Sequence, residues 1–156
     1  MSEVEERLDS LGMRLPETPA PVAAYVPAVE SGGFVYTAGQ IPRVDGELVS
    51  PGTVGSVVSK ADARAAAERA ALQAISALRS AVGDLDRILR IVKVTVFIAS
   101  APGFVEQPAV ADGASEMLVS AFGERGRHAR SAVGVAELPL GSCVEVEVIA
   151  QTGQSG

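Results

Sequence analysis

Apolar residues recur at two spacings along this chain, and the spacing separates the predicted helices from the predicted strands. A helical period runs from Lys60 to Val82, ends at Gly83 and is rich in alanine. Its apolar stripe comprises Ala67, Ala71, Ile75, Leu78 and Val82. Further helices are predicted from Val4 to Leu11 and from about Pro108 to Phe122. The many alanines of the long helix indicate that it lies close against a flat sheet.

Strand patterns fill the segments between these helices. Ile88 to Ala99, rich in Ile and Val, is the strongest strand and is predicted to be central. Tyr25 to Val29 and Phe34 to Ala38 predict a hairpin, and two short strands follow within Gly126–Val135 and Cys143–Ala150. The order β-β-α-β-α-β-β predicts an α+β fold, with one sheet and both long helices on one face.

The chain length predicts a single domain. Its 156 residues are enough for one core, and no repeat or interdomain linker interrupts them. We expect residues 1–20 to form the N-terminal helix and an extended, Pro-rich arm, residues 25–150 to form the core, and Gln151 to Gly156 to form a frayed tail. The uncovered sheet face carries more Val and Ile than a monomer exposes, which predicts an oligomer.

The two C-terminal strands carry the best candidate site. Side chains alternate along a strand, so Arg130 shares a face with the small residues Ala132, Gly134 and Ala136, which leave the backbone open to close approach. On the second strand the valines Val144, Val146 and Val148 face the core, while Glu145 and Glu147 face the other way. A guanidinium, accessible backbone and a carboxylate can hold a small carboxylate and act on the neighbouring atom.

Charge and composition narrow the function further. A net charge of −6 and aromatic content of 4% argue against a general nucleic-acid binder or a base-stacking surface. The longest apolar run, Val94 to Ala99, has the length of a strand, so no membrane partner is expected. The acidic start does not resemble a signal peptide, and a single cysteine fits a reducing compartment; we therefore expect a cytoplasmic protein.

Several polar residues have simple structural interpretations. One histidine, one cysteine and scattered carboxylates provide no metal-ligand spacing, so no metal is expected. His128 lies among Gly and Arg and is expected to be a solvated loop residue rather than a general base. Cys143 is expected to be a small buried or strand-edge residue. Glu147 could share the role of Glu145 or replace it.

The motifs together resemble the YjgF/RidA family, the imine deaminases formerly labelled L-PSP endoribonucleases. The matching residues are Tyr25-Val26-Pro27-Ala28-Val29, Tyr36-Thr37-Ala38-Gly39-Gln40-Ile41-Pro42, Leu89 to Phe97, Phe104, Ala129-Arg130-Ser131-Ala132-Val133, Leu138-Pro139 and Val144-Glu145-Val146-Glu147. They extend from about Tyr25 to Ala150, and their order and spacing are more specific than any one motif. The N-terminal helix and the segment from Gly103 to Pro108 indicate a divergent branch.

The resemblance implies a chorismate-mutase-like fold and a homotrimer whose sheets pack inward as a barrel. It also implies clefts between subunits that bind small carboxylates. Family members of the deaminase type, such as 2-iminobutanoate/2-iminopropanoate deaminases, hydrolyse 2-imino acids or their enamine tautomers to 2-keto acids and ammonia, without a metal or an organic cofactor.

Carried over by position, the resemblance assigns roles to five residues. Arg130 matches the arginine that binds the substrate carboxylate, and Glu145 matches the glutamate near the attacking water. Gly39 and Ala132 match positions that line the pocket through their backbone. Tyr25 matches an aromatic wall residue.

The chain departs from the family pattern at several of these positions. Ala132 stands where many members have a cysteine, His128 replaces a common proline, and Ala38 replaces a common serine. The asparagine of the second helix has no clear counterpart, because the segment between Phe104 and Arg130 is longer. These departures affect the expected substrate more than the expected role of the arginine.

Alternatives from other classes stay open at this point. The same scaffold could bind a small carboxylate as a regulatory protein without turnover, or could cleave RNA, which the acidic charge disfavours. Arg130 could form a surface ion pair, and Glu145 could be a structural carboxylate. Tyr25 could be part of the core, and Gly39 could serve only tight backbone geometry.

Overall fold

The computed structural model describes residues 1–18, 20 and 23–153, and its elements follow the predicted order except for two short strands, β3 and β4, that the sequence did not predict. In chain order they are α1 (Glu3–Ser10), β1 (Ala28–Ser31), β2 (Phe34–Thr37), β3 (Arg43–Val44), β4 (Glu47–Leu48), α2 (Lys60–Val82), β5 (Ile88–Ala99), α3 (Gln107–Phe122), β6 (Ala129–Val135) and β7 (Val144–Thr152). The predicted Pro-rich arm lies partly outside the described residues. The tail prediction needs correction, because Gln151 and Thr152 belong to β7; residues 154–156 lie outside the description.

A five-stranded sheet in the order β1-β2-β7-β5-β6 forms the centre of the fold. Its neighbours are antiparallel except for the parallel pair β5 and β6. Helix α2 lies over β7, β1 and β2, and α3 lies over β5 and β6. This arrangement confirms the predicted α+β fold. Strand β5 is paired on both sides as expected, although β7 occupies the middle of the sheet.

The two C-terminal strands flank β5 and do not pair with each other. Arg130 of β6 is in register with Val94 of β5, and Glu145 of β7 is in register with Phe97. Val94 is fully buried beneath the helices, whereas Phe97 lies on the opposite face of β5. Arg130 and Glu145 therefore occupy opposite faces of one sheet.

Small residues allow the two long helices to approach closely. The predicted apolar stripe of α2 is buried along its whole length. Gly113 of α3 lies against the Arg64 carbonyl of α2, where a Cβ atom would collide with that oxygen. Because the contact leaves no room for displacement, it fixes the position of the neighbouring turn of α3 relative to the sheet.

Helix α1 is attached to the domain core. Its Ser2 hydroxyl accepts from the Glu5 N–H at 3.2 Å, and the Glu5 carboxylate accepts from the Ser2 N–H at 2.9 Å, which together form a capping box. These bonds and the Arg79 guanidinium lower the pKa of Glu5 to about 2. Val4 and Leu8 are buried, so the N-terminal helix contributes to the core.

The sheet face opposite the helices exposes apolar side chains. Val29, Tyr36 and Val133 are 51%, 43% and 41% exposed, and Phe97 and Ile149 beside them are partly exposed. This agrees with the predicted apolar face, while the trimer stays a prediction. Within the described ranges, no helix has both the length and the apolar composition to cross a membrane.

Candidate functional site

Glu145 lies on the open face of the sheet. The segment that follows β2 pairs with β7 and holds Gly39 against the Glu145 side chain. Gln40 pairs with Val146 of β7 through both backbone groups, at 2.8 and 2.9 Å. This pairing places Gly39 beside the Glu145 side chain, so that a Cβ atom on Gly39 would overlap the carboxylate. Position 39 therefore requires glycine for steric reasons.

The Glu145 carboxylate is desolvated without a compensating partner. Within the described residues it accepts no hydrogen bond from protein and forms no ion pair. Partial burial raises its pKa above the ordinary 4.5, and repulsion from Glu147, two residues along the strand, raises that pKa further. A carboxylate of this kind takes up a proton more readily than a solvated one, as a general base near neutral pH requires.

Glu145 opens into a cavity of about 290 Å³, called here the Glu145 groove. Three of the predicted site residues, Tyr25, Gly39 and Glu145, line it together. The other lining residues are Ala20, Pro27, Gln40, Ile41, Arg43, Gln73, Pro139 and Leu140. Tyr25 is 55% exposed and belongs to the groove wall, so it is not a core residue.

Arg130 belongs to a separate cluster on the helix-covered face. Its Nη1 donates to Asp112 Oδ1 at 2.8 Å and to Ser115 Oγ at 3.3 Å, both on α3. No other hydrogen bond of the guanidinium is formed within residues 1–18, 20 and 23–153. Nε and Nη2 therefore stay available for a planar acceptor, while the bonds to α3 hold the side chain in place.

His128 completes this group, and it is not the solvated loop residue that the sequence predicted. Its Nδ1 lies 2.6 Å from the Gly126 carbonyl, and its Nε2 lies 2.9 Å from Ser115 Oγ. A carbonyl oxygen only accepts, so Nδ1 carries the proton and Nε2 accepts from the Ser115 hydroxyl. Asp112, Ser115, His128 and Arg130 are called here the Arg130 cluster.

Burial sets the protonation state of His128. The pKa of the imidazole is lowered from 6.5, first by desolvation and then by the nearby positive charge of Arg130, although its bond to Gly126 opposes the shift. The neutral ring is therefore favoured at neutral pH. Three residues of the cluster, Ser115, His128 and Arg130, line a depression of about 250 Å³ together with Val119 and Arg127.

Ala132 follows Arg130 by two residues on the same face of β6, and it lines neither the Glu145 groove nor the depression at Arg130. It is in register with Val96 on the helix-covered face and is half-buried against the core. Cys143 is fully buried as expected, and burial raises the pKa of its thiol to about 11. The unreactive thiol fits the structural role that the sequence predicted.

The predicted site thus divides into two groups within one chain. Tyr25, Gly39 and Glu145 share the groove, whereas Arg130 lies across the sheet. Sequence reasoning missed Asp112 and Ser115, whose signal was their three-residue spacing on one helix face. It also missed Arg43 and Gln73 in the groove, and only the first has a local signal, since it directly follows the Gly39-Gln40-Ile41-Pro42 segment.

Comparisons with known proteins cover nearly the whole chain. A sequence model of the family described as YjgF/chorismate_mutase-like matches residues 5–152. Protein TCP17 of Trypanosoma cruzi is 45% identical over 149 residues, which span 95% of this chain and 93% of that protein. The crystal structure of Atu1372, a protein of unknown function from Agrobacterium tumefaciens, is 41% identical with a TM-score of 0.91, over 97% of this chain and 93% of that one.

Among more distant relatives, one has a name that states an activity and one has a structure that contains a bound ligand. A protein of Dermatophagoides farinae named 2-iminobutanoate/2-iminopropanoate deaminase is 35% identical over 86% of this chain and 90% of its own length. The structure of E. coli TdcF with bound serine is 27% identical with a TM-score of 0.61, over 88% of this chain and 94% of that one. The two more similar proteins, TCP17 and Atu1372, have names that state no activity.

Proposed function

The chain belongs to the YjgF/RidA family, and on that premise we propose that it hydrolyses small 2-imino acids and their enamine tautomers to 2-keto acids and ammonia. We further propose that the site forms between two subunits of a homotrimer. The observation that carries the proposal is the division of the site. One face presents an arginine with unused donors, and the other face presents a desolvated carboxylate beside a glycine.

In this proposal Arg130 binds the substrate carboxylate. Nη1 is held by Asp112 and Ser115, so Nε and Nη2 can donate to the two carboxylate oxygens in the planar geometry that guanidinium favours. Charge-assisted hydrogen bonds contribute roughly 1.5–3 kcal/mol each. Because the α3 contacts already orient the guanidinium, little side-chain entropy is lost when the substrate binds.

Glu145 then acts on the carbon next to that carboxylate. Its carboxylate accepts a proton from water as the water oxygen bonds to the imine carbon, and it passes that proton to the imine nitrogen, which gives a neutral carbinolamine. The same carboxylate then accepts the carbinolamine hydroxyl proton and passes it to the nitrogen. The carbon–nitrogen bond breaks, and ammonia leaves as the carbon–oxygen double bond forms. General-base catalysis contributes about 10²–10⁴ in rate. The peptide groups of Gly39, unpartnered within the described residues, line the groove where the imine lies.

A neighbouring copy is needed to bring the two groups together. Arg130 is on edge strand β6 and Glu145 is on the opposite face of the sheet, so one chain does not present both to one small molecule. In a trimer that covers the apolar open face, the Arg130 cluster of one subunit would adjoin the Glu145 groove of the next.

A trapping assay tests the reaction. Imines generated enzymatically from amino acids react with semicarbazide, and a deaminase competes with that reaction. We expect the wild type and Arg14→Ala to suppress semicarbazone formation and Arg130→Ala not to do so. Arg14 is an exposed arginine outside both groups, so its variant controls for the lost charge. Carboxylate binding without suppression by the wild type would instead show a binding protein.

Two further expectations belong to this proposal. We expect no RNA cleavage, given the net charge of −6, and a purified RNase activity that depends on Arg130 would overturn that expectation. A cytoplasmic location stays a prediction, to be checked by fractionating cells that express the protein.

A further inference from the structure

A buried amide in the Glu145 groove uses only part of its hydrogen-bonding capacity. Gln73 of α2 is 5% exposed, and its Oε1 accepts from the Arg43 N–H at 2.6 Å. A backbone N–H only donates, so the contacting atom is the amide oxygen and the other atom is the NH₂ group. Within the described residues that NH₂ group has no hydrogen-bond partner. Since Gln73 lines the groove, its two donors are available there.

Arg43 adds a guanidinium to the same part of the groove. Its main chain is fixed on both sides, since its N–H donates to Gln73 and its carbonyl accepts from Arg69 Nε at 2.5 Å. Arg43 lines the groove, and its side chain forms no hydrogen bond or ion pair with any residue in the ranges 1–18, 20 and 23–153. The segment therefore anchors the backbone of Arg43 and leaves its charge uncommitted.

Within the part of the chain that the structure describes, the two side chains form a set of donors without an acceptor. A guanidinium and an amide NH₂ complement an anionic group with two planar oxygens, which describes a carboxylate. One positive charge balances one carboxylate. A phosphate dianion would leave excess negative charge close to Glu145, which has no partner of its own.

The groove places this donor set at a distance from the reacting centre. Glu145 lies against Gly39, and Gln73 lies against Arg43, four residues further along the segment. Four residues of extended chain span at most about 14 Å, and the arginine side chain can reach back along part of that length. We propose that Arg43 and Gln73 hold a second, distal carboxylate, so that the preferred substrates are 2-imino dicarboxylic acids. This inference rests on the proposed function, because it takes the reacting carbon to lie at Glu145.

Binding of the product class tests the inference without requiring turnover. Calorimetry compares 2-oxoglutarate with 2-oxobutanoate on the full-length wild type, Arg43→Ala, Gln73→Glu and Arg14→Ala. We expect the wild type to bind 2-oxoglutarate about tenfold or more tightly, since one charge-assisted contact has that effect. We expect Arg43→Ala and Gln73→Glu to lose this preference while their Kd for 2-oxobutanoate stays within about twofold. Gln73→Glu keeps an oxygen for the Arg43 N–H, and Arg14→Ala removes the same charge elsewhere and should keep the preference.

Three results would overturn the inference. The first is that the wild type binds 2-oxoglutarate and 2-oxobutanoate equally tightly. The second is that Arg43→Ala still binds 2-oxoglutarate more tightly. The third is that Arg43→Ala weakens the binding of both acids equally, which would place Arg43 on the carboxylate common to both. Its failure is distinguishable from failure of the proposed function. If the protein turns over imino acids but does not prefer 2-oxoglutarate, only the distal subsite is wrong. If it prefers 2-oxoglutarate but does not turn over imino acids, only the proposed reaction is wrong.

Discussion

Arg130 and Glu145 lie on opposite faces of one sheet, and the protein surrounds these two charged groups in opposite ways. Arg130 has a carboxylate and a hydroxyl at one nitrogen, and His128 holds that hydroxyl in turn. Glu145 has no partner within the described residues and lies against a bare glycine. The comparison teaches that protein contacts hold the guanidinium in place, whereas the carboxylate is left without a partner among the described residues; these are the states that the proposed function requires of a ligand-binding cation and a general base.

The difference has an energetic consequence. The Arg130 guanidinium is hydrogen-bonded to Asp112 and Ser115 of α3, so its charge is compensated within the fold. The raised pKa of Glu145 means that its charged form is less stable in the fold than in water. A carboxylate held in this way lowers stability at neutral pH, and such a cost is typical of functional sites.

Removing the Arg130 guanidinium should have the largest effect on kcat/KM. We expect Arg130→Ala to lower kcat/KM about 10³-fold, because two charge-assisted bonds to the substrate carboxylate are lost. Arg130→Lys should recover only a small part, since an ammonium does not donate in the same planar geometry. Steady-state kinetics on both variants, beside Arg14→Ala, measure this. Full recovery in Arg130→Lys would show that charge alone matters.

Replacing the carboxylate should separate activity from stability. We expect Glu145→Gln to lower kcat about 10²-fold and at the same time to raise the thermal midpoint, because a desolvated charge is removed. Kinetics and thermal unfolding on the same preparations check the two effects. Loss of both activity and stability would indicate a structural carboxylate.

The acid limb of the pH profile should follow Glu145. Because its pKa is raised, kcat/KM should rise with pH through a value above 4.5, and wild-type stability should fall over the same window as the carboxylate ionises. Glu147→Gln removes the repulsion, so the limb should move to lower pH with little change in the plateau. An unmoved limb would exclude Glu147 as a cause of the shift.

The smallest effect should come from the residues that hold the arginine. We expect Ser115→Ala to raise KM about fivefold with kcat unchanged, since one neutral hydrogen bond near Arg130 is lost. Ser115→Thr should restore KM, and Ser120→Ala, an exposed serine on the same helix, should match the wild type. An equal fall in kcat for Ser115→Ala would mean that Ser115 acts on the reaction itself.

The sequence predicted local structure better than it predicted which residues meet. Lys60–Val82 and Ile88–Ala99 have the predicted bounds, because helical and strand periods are local properties. Which face of the sheet Arg130 and Glu145 occupy depends instead on the pairing of β6 and β7 with the two sides of β5. No local sequence pattern encodes this tertiary pairing. A glycine-rich neighbourhood likewise favoured a solvated His128, and the bond from Ser115 across the fold reversed that expectation.

Mixing two inactive variants tests most directly the central claim that the Arg130 cluster and the Glu145 groove meet between subunits. Arg130→Ala and Glu145→Gln are each purified, unfolded together in equal amounts and refolded, so that mixed trimers form. A site that takes Arg130 from one subunit and Glu145 from the next is intact in about a quarter of the random interfaces. We predict recovery of about a quarter of the wild-type activity, from two preparations that are each inactive alone. No recovery in trimers shown to be mixed would place both residues in one subunit's site and contradict the account.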